Sequence, residues 1–309
     1  MSPIQQMFLG LGAGTKAVVN GGDRAVFFGG KMADSGPDEN SMEYIAISSL
    51  GNGTDFGDLS STSSFTKDTC GVSNISRGVQ MTGYTPSRTA VMMYWTFGSP
   101  GNASSFGNLT AARSHGSGSS DGSRGVCWTG ETGGNVIDYI TIANTGDATD
   151  FGDSTRGQQA EGGGTADDTR GIFFKGDAID YITIQTTGNT SDFGDTTVGV
   201  EKPKGCSADA TRGVLAGTAY SPTNTIQYVT IQTTGNASDF GNISAAAYNV
   251  GRGGACNSTR MVMAGGETSN PGGGVSDDIQ YIEVQTTGNT SDFGDLLNDS
   301  RAGGCVSGD

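Results

Sequence analysis

The chain has 309 residues, 53 of them glycine, with 32 acidic against 17 basic side chains and a net charge of −15. That charge argues against a nucleic-acid binder, which needs clustered Lys and Arg to neutralise phosphates, and against adhesion to an anionic membrane. No stretch has the apolar length of a membrane span, and the start Met1-Ser-Pro-Ile-Gln-Gln lacks the basic, then apolar, pattern of a signal peptide, so the expectation is a soluble product made in the cytoplasm.

Residues 1–15 show no repeat character and are expected to form an N-terminal arm to a partner. From residue 16 the chain repeats. A tyrosine is followed twelve residues later by Phe-Gly at Tyr44/Phe56, Tyr94/Phe106, Tyr139/Phe151, Tyr181/Phe193, Tyr228/Phe240 and Tyr281/Phe293. The Phe-Gly anchors lie 50, 45, 42, 47 and 53 residues apart. A constant internal spacing within variable lengths means one supersecondary unit built six times. The units fall near 16–58, 59–108, 109–153, 154–195, 196–242 and 243–309.

Within a unit the signals are short strands bounded by turn residues, with no helical period. In the copy from 204 to 243, Lys204-Gly-Cys-Ser-Ala-Asp209 is small and half-polar. Arg212-Gly-Val-Leu-Ala-Gly217 follows, matched by stretches opening at Arg24, Arg77, Arg124, Arg170 and Arg260 and ending in glycine. Ile226-Gln-Tyr-Val-Thr-Ile231 alternates as a half-buried strand does. A Thr-Gly-Asn turn then leads to Asp239-Phe-Gly-Asn-Ile243, a short outer strand or corner. Four strands make a blade.

Six four-stranded units without helices remove their edges most readily as a radial ring, and the small residues of the first strand suit the crowded axis. The expected fold is an all-β, six-bladed β-propeller spanning 16–309 and closed by the chain termini. A β-solenoid or two packed sandwiches are the alternatives. After Phe293 the next strand arginine falls due just beyond Asp309, and Asp23-Arg24 resumes the pattern. Both 16–22 and 301–308 resemble an inner strand; the expectation gives the inner place of the first blade to the C-terminal one.

An arginine, an apolar strand ending in glycine, a tyrosine strand and an aromatic turn together resemble the layout of kelch-like propellers. Gly29-Gly30 and Gly265-Gly266 keep the glycine pair of that family, while phenylalanine stands where it has tryptophan. The segments DYITIANTGDATDFGD (138–153) and DYITIQTTGNTSDFGD (180–195) resemble repeats in virion and tail-fibre proteins of tailed bacteriophages, marine ones especially. The resemblance implies a virion component assembled in the host cytoplasm, non-enzymatic, with other tail proteins or a host-surface glycan as partners. Its oligomeric state would be set by the assembly. The alternative is a carbohydrate-active or kelch-like propeller enzyme.

Other motifs are read as architecture. Asp-Phe-Gly occurs at 55, 150, 192, 239 and 292, which argues against a kinase-type magnesium motif, since a catalytic residue is needed once. Gly10-Leu-Gly-Ala-Gly14 lacks the helix a phosphate loop needs. The paired acids Asp55/Asp58, Asp150/Asp153, Asp192/Asp195 and Asp292/Asp295 have calcium-ligand chemistry, but Ser105, Asn108 and Asn242 replace acids elsewhere, which turn capping tolerates and a cation site does not. Cys70, Cys206, Cys256 and Cys305 fall at like places, Cys127 makes the total odd, and the reading is small buried thiols held apart in different blades. With one histidine, His115, a zinc site is not expected, and no cofactor or catalytic residue is assigned.

The arginines Arg24, Arg77, Arg124, Arg170, Arg212 and Arg260 are expected to clamp strands or blades, through the Asp-Phe-Gly turn, or else to be solvated strand-end charges. Function is expected in what varies: the loops 31–41, 84–89, 131–135, 219–224 and 267–278, all on one face. Met92-Met-Tyr-Trp-Thr-Phe97 departs furthest from the repeat, and Met92 and Trp95 are expected at an exposed apolar docking edge.

Overall fold

The computed structural model describes residues 22–32, 38–59, 67–84, 86–158, 160–203, 205–218, 223–244, 251, 253–267 and 274–309. The arm at 1–15, the competing inner strand at 16–21 and parts of four variable loops lie outside them.

The protein is a six-bladed β-propeller. From axis to rim, the first blade comprises Gly304–Gly308, Arg24–Lys31, Asp38–Ala46 and Thr54–Asp58. The second comprises Gly71–Ser73, Arg77–Gln80, Thr89–Thr96 and Ser104–Arg113, and the third Ser117–Ser120, Arg124–Trp128, Val136–Thr141 and Thr149–Asp153. The fourth comprises Gly163–Ala166, Arg170–Thr183 and Ser191–Val200. Its middle run doubles back at Gly176 (φ 57°), because the Ile184 N–H donates to Thr169 O at 2.9 Å and so sets the two ends of the run side by side. This blade too is therefore four-stranded. Gly205–Ala208, Arg212–Thr218, Thr223–Thr230 and Ser238–Asn242 form the fifth, and Gly254–Cys256, Arg260–Ala264, Asp278–Glu283 and Ser291–Asp295 the sixth. All strand pairs are antiparallel. Each inner strand contacts the next, and the sixth returns to the first.

The Phe-Gly signature has a local cause. In every blade the outer strand slips register by one residue at its phenylalanine: Ile226 pairs with Gly241 but Gln227 with Asp239, leaving Phe240 as the extra residue of a β-bulge. Phe56 is skipped in the same way between Asp55 and Gly57, and Phe151 between Asp150 and Gly152. The bulge turns the ring inward.

Burial then decides what these repeat anchors can do. Phe56 is 1% exposed, Phe151 and Phe240 2%, and Phe106, Phe193 and Phe293 3%. Their segment is the outer strand of the blade, one of the two forms expected of it, and the phenylalanines are structural anchors inside it. Phe56 packs with Met42 and Leu59, and Phe151 with Ile137 and Ile182, so both are core side chains on a bulged strand, closed to any ligand or partner. Each phenylalanine meets its blade's tyrosine edge to face, with centroids 5.9–6.1 Å apart and planes at 77–82°, as Tyr44 does Phe56 and Tyr139 does Phe151.

The glycine after each phenylalanine is fixed by the neighbouring blade. A Cβ on Gly194 would lie 2.4 Å from the carbonyl oxygen of Gly235, and one on Gly241 would lie 2.1 Å from that of Gly288. This closeness lets the outer strand bond the next blade's turn, as in Gly235 N–H to Phe193 O at 2.8 Å and Ala237 N–H to Asp195 O at 2.8 Å. The turn's Asx side chain adds a further bond, with Asn236 Oδ1 accepting from the Asp195 N–H at 3.0 Å. The second residue of each acidic pair therefore sits in a blade-to-blade seam.

At the axis, glycine again sets the spacing, since a Cβ on Gly118 would lie 2.1 Å from Gly71 O. The ring closes with the C-terminal strand innermost in the first blade, paired with residues 24–28. In other blades an Asx caps the hairpin between the first two strands, as Asp209 Oδ1 accepts from the Thr211 and Arg212 N–H groups at 2.7 Å. In the first blade Asp309 Oδ1 accepts from the Asp23 N–H at 2.6 Å, so a side chain joins the blade's inner and second strands across 286 residues of sequence.

The divergent second blade corrects another expectation. Met92 is 0% and Trp95 3% exposed. Met92 packs with Phe106 and Leu109, and Trp95 lies against Phe28 of the first blade at 4.9 Å between centroids. Larger apolar side chains here fill the seam between the blades, so neither residue belongs to a docking edge.

Candidate functional site at the channel mouth

The six arginines are the repeat's clamp. Each guanidinium stacks over its own blade's tyrosine at 4.1–4.8 Å. Each also donates through Nη1 to a carbonyl oxygen of the next blade, three residues past that blade's tyrosine. Arg24 reaches Phe97, Arg77 Ile142 at 3.0 Å, Arg124 Ile184 at 2.9 Å, Arg170 Ile231 at 3.0 Å, Arg212 Val284 at 3.1 Å and Arg260 Ile47 at 3.0 Å. The clamp joins blades as expected, but its acceptor is this carbonyl and not the Asp-Phe-Gly turn. Planar stacking and directional donation together explain why arginine recurs.

In four blades the residue before the tyrosine, whose role the repeat pattern did not indicate, supplies a second seam. Glu43, Asp138, Gln227 and Gln280 are buried and accept from backbone N–H groups of the preceding blade at Leu297, Thr110, Thr197 and Ser244, over 2.7–3.1 Å. Asp138 also pairs with Arg113, and both side chains are sealed from solvent. Arg113 further donates to Val136 O at 2.7 Å. With so much of the repeated chemistry committed to seams, the surface open to a ligand lies elsewhere.

It lies at one mouth of the axial channel, which all six inner strands line. Just before the inner strand of five blades stands a non-glycine residue in the left-handed conformation: Asp68 (φ 55°), His115 (φ 56°), Glu161 (φ 66°), Lys202 (φ 48°) and Ala302 (φ 58°). Such backbone costs about 1–3 kcal/mol per residue and must be held by its surroundings. A relay of peptide hydrogen bonds holds it. Asp68 N–H donates to Ala302 O at 2.7 Å, His115 to Asp68 at 2.9 Å, Glu161 to His115 at 2.9 Å and Lys202 to Glu161 at 2.8 Å.

The side chains on this relay form one charged network. His115 Nε2 lies 3.1 Å from Asp68 Oδ1 and 3.7 Å from Glu161 Oε1, and its Nδ1 lies 3.8 Å from Glu131 Oε2 and 3.1 Å from Ser114 Oγ. Lys202 Nζ reaches Glu161 at 3.0 Å, while Arg88 bonds Glu131 and holds that carboxyl below the usual range. Arg88 and Glu131 belong to variable loops between second and third strands. Bridges at Lys31–Arg301, Lys67–Tyr84 and Ser114–Glu131 place the described bases of these loops on this same face.

Ser114, His115 and Asp68 are the residue types of a hydrolytic triad, but Ser114 is fully buried and shielded from any substrate. The network's exposed chemistry is instead that of an asymmetric, charge-patterned recognition surface on a six-fold scaffold. Among the described residues no group of three or more His, Cys, Asp or Glu has the arrangement of a metal site. Sequence reasoning passed over Asp68, Glu161 and Lys202 because their positions differ in residue type from blade to blade. The available signal was their placement, 9–12 residues after each Phe-Gly and just before the small inner strand.

These features define a closed propeller with a charged axial mouth. No known protein-family model matches the chain, and a search of curated proteins finds no matching relative.

Proposed function

We propose that the protein is a non-enzymatic structural component of a tailed-phage virion, associated with the tail or fibre, whose loop-bearing propeller face docks onto a neighbouring virion protein or a host-surface glycan. One observation carries the reading: the recurring arginine, tyrosine and Phe-Gly hold blade to blade, while the charged side chains of Asp68, His115, Glu161, Lys202, Arg88 and Glu131, which do not recur, gather around a single mouth. A docking surface needs that division, because the scaffold must be rigid and the contacts particular. The resemblance of 138–153 and 180–195 to virion repeats supplies the setting.

The test is co-sedimentation of tagged protein with purified particles, alongside a variant carrying Arg88→Glu and Lys202→Glu. The wild type is expected to sediment with particles and the variant to remain in solution with an unchanged circular dichroism spectrum. Equal sedimentation of the two would remove the docking face from this mouth, and absence of the protein from particles would remove the virion reading. A glycan array separates a host-surface ligand from a protein neighbour.

A further inference from the structure

We propose that Cys70 and Cys127 form an oxidant-accepting thiol pair between the second and third blades, with Cys70 the attacking sulfur and Cys127 the resolving one, and a small hydroperoxide as the oxidant. Their sulfurs stand 4.0 Å apart. The expectation that the cysteines would be held apart fails here for a topological reason. Cys70 immediately precedes the inner strand of its blade, whereas Cys127 lies in the second strand of the next, and those two strands pack across the seam. A disulfide needs about 2.05 Å between sulfurs, so closure is a displacement on the scale of a side-chain torsion.

Access distinguishes the two thiols. Cys70 lines the axial channel and keeps 7% exposure, while Cys127 has none. The Thr82 hydroxyl lies 3.5 Å from Cys70 Sγ, and the buried guanidinium of Arg113 places positive charge near both sulfurs. Hydrogen bonding from Cys127 and Thr82 lowers the Cys70 thiol, while that same shared bond and burial raise Cys127 well above its ordinary value. Cys70 is therefore the sulfur that an oxidant in the channel meets first, and Cys127, sealed behind it at 4.0 Å, is placed to resolve the product. Cys206 also lines the channel, but burial raises it and no second sulfur faces it among the described contacts.

Glycines and small side chains crowd the channel wall, which suits an oxidant of hydrogen peroxide's size. The Cys70 thiolate attacks one peroxide oxygen, the O–O bond breaks, and the departing hydroxide takes a proton to become water. Cys127 sulfur then attacks the Cys70 sulfenic acid, the S–O bond breaks, and its oxygen leaves as a second water with the remaining thiol proton. Two electrons pass from the two sulfurs to one peroxide, and an external thiol restores the pair.

The test treats reduced full-length protein with one equivalent of hydrogen peroxide, then alkylates it under denaturing conditions. The thiol count is expected to fall from five to three, with Cys70 and Cys127 joined in a single digest fragment and restored by dithiothreitol. In Cys127→Ser, dimedone is expected to label Cys70; in Cys70→Ser, neither dimedone labelling nor thiol loss is expected. An unchanged count in the wild type, or a link between other cysteines, would overturn the proposal, and labelling of Cys127 in Cys70→Ser would overturn the assigned roles. The wild-type digest decides the pairing even where a variant does not fold, and it is independent of the virion reading.

Discussion

Arg260 of the sixth blade donates to the carbonyl oxygen of Ile47 in the first at 3.0 Å, spanning 213 residues of sequence. This contact completes a circle of six like bonds, so each blade holds the next and none is terminal. Hydrogen bonds from charged donors contribute about 1.5–3 kcal/mol each, and the partly exposed stacking on tyrosine adds about 0.5–1 kcal/mol.

Replacing one clamp should therefore be felt by the whole ring. Arg170→Ala is expected to lower unfolding free energy by about 2 kcal/mol in urea titration. Arg170→Lys should recover less than half of it, because an ammonium keeps the charge but not the planar stack. Full recovery by lysine would show that charge alone matters.

The bulged phenylalanine should behave as core. Phe193→Ala leaves a cavity beside Tyr181 and is expected to cost about 3–5 kcal/mol. A loss under about 1 kcal/mol would place the ring's packing outside the stabilising core.

Gly194→Ala tests the seam, since its Cβ would strike the Gly235 carbonyl at 2.4 Å, whereas a Cβ on Gly98 has nothing within 4 Å. The first substitution is expected to destabilise by about 2 kcal/mol or more and the second by under about 0.5 kcal/mol. Equal effects would mean that the blades part freely at this turn.

Ring closure predicts an asymmetry between terminal deletions. Removing 301–309 takes away the innermost strand of the first blade, together with the Ser307 hydroxyl's bond to Cys256 O at 2.8 Å. The melting temperature should fall sharply, whereas removing 2–12 is expected to leave it in place and to weaken particle assembly. The opposite ranking would assign closure to the N-terminal segment.

Turnover offers a further check on the proposed role. A panel of glycoside and ester substrates is expected to show none, and activity abolished by Asp68→Asn or Glu161→Gln would replace docking with catalysis at the mouth.

The repeat, the strand count and the inward phenylalanine were legible in the order of residues, because they follow from local chemistry that recurs at fixed offsets. Closure was legible too, since Asp23-Arg24 continues a pattern that Asp309 breaks off, and the structure places the C-terminal strand innermost. What each recurring residue touches emerged only from the folded ring. Arginine's acceptor, the register slip that makes Phe56 and Phe151 bulge residues, the burial of Met92 and Trp95, and the approach of Cys70 to Cys127 all depend on packing partners that no sequence offset specifies. The charged mouth was hidden for the same reason. Asp68, His115, Glu161 and Lys202 share a backbone position but no residue type, and only the closing of the ring brings them around one axis.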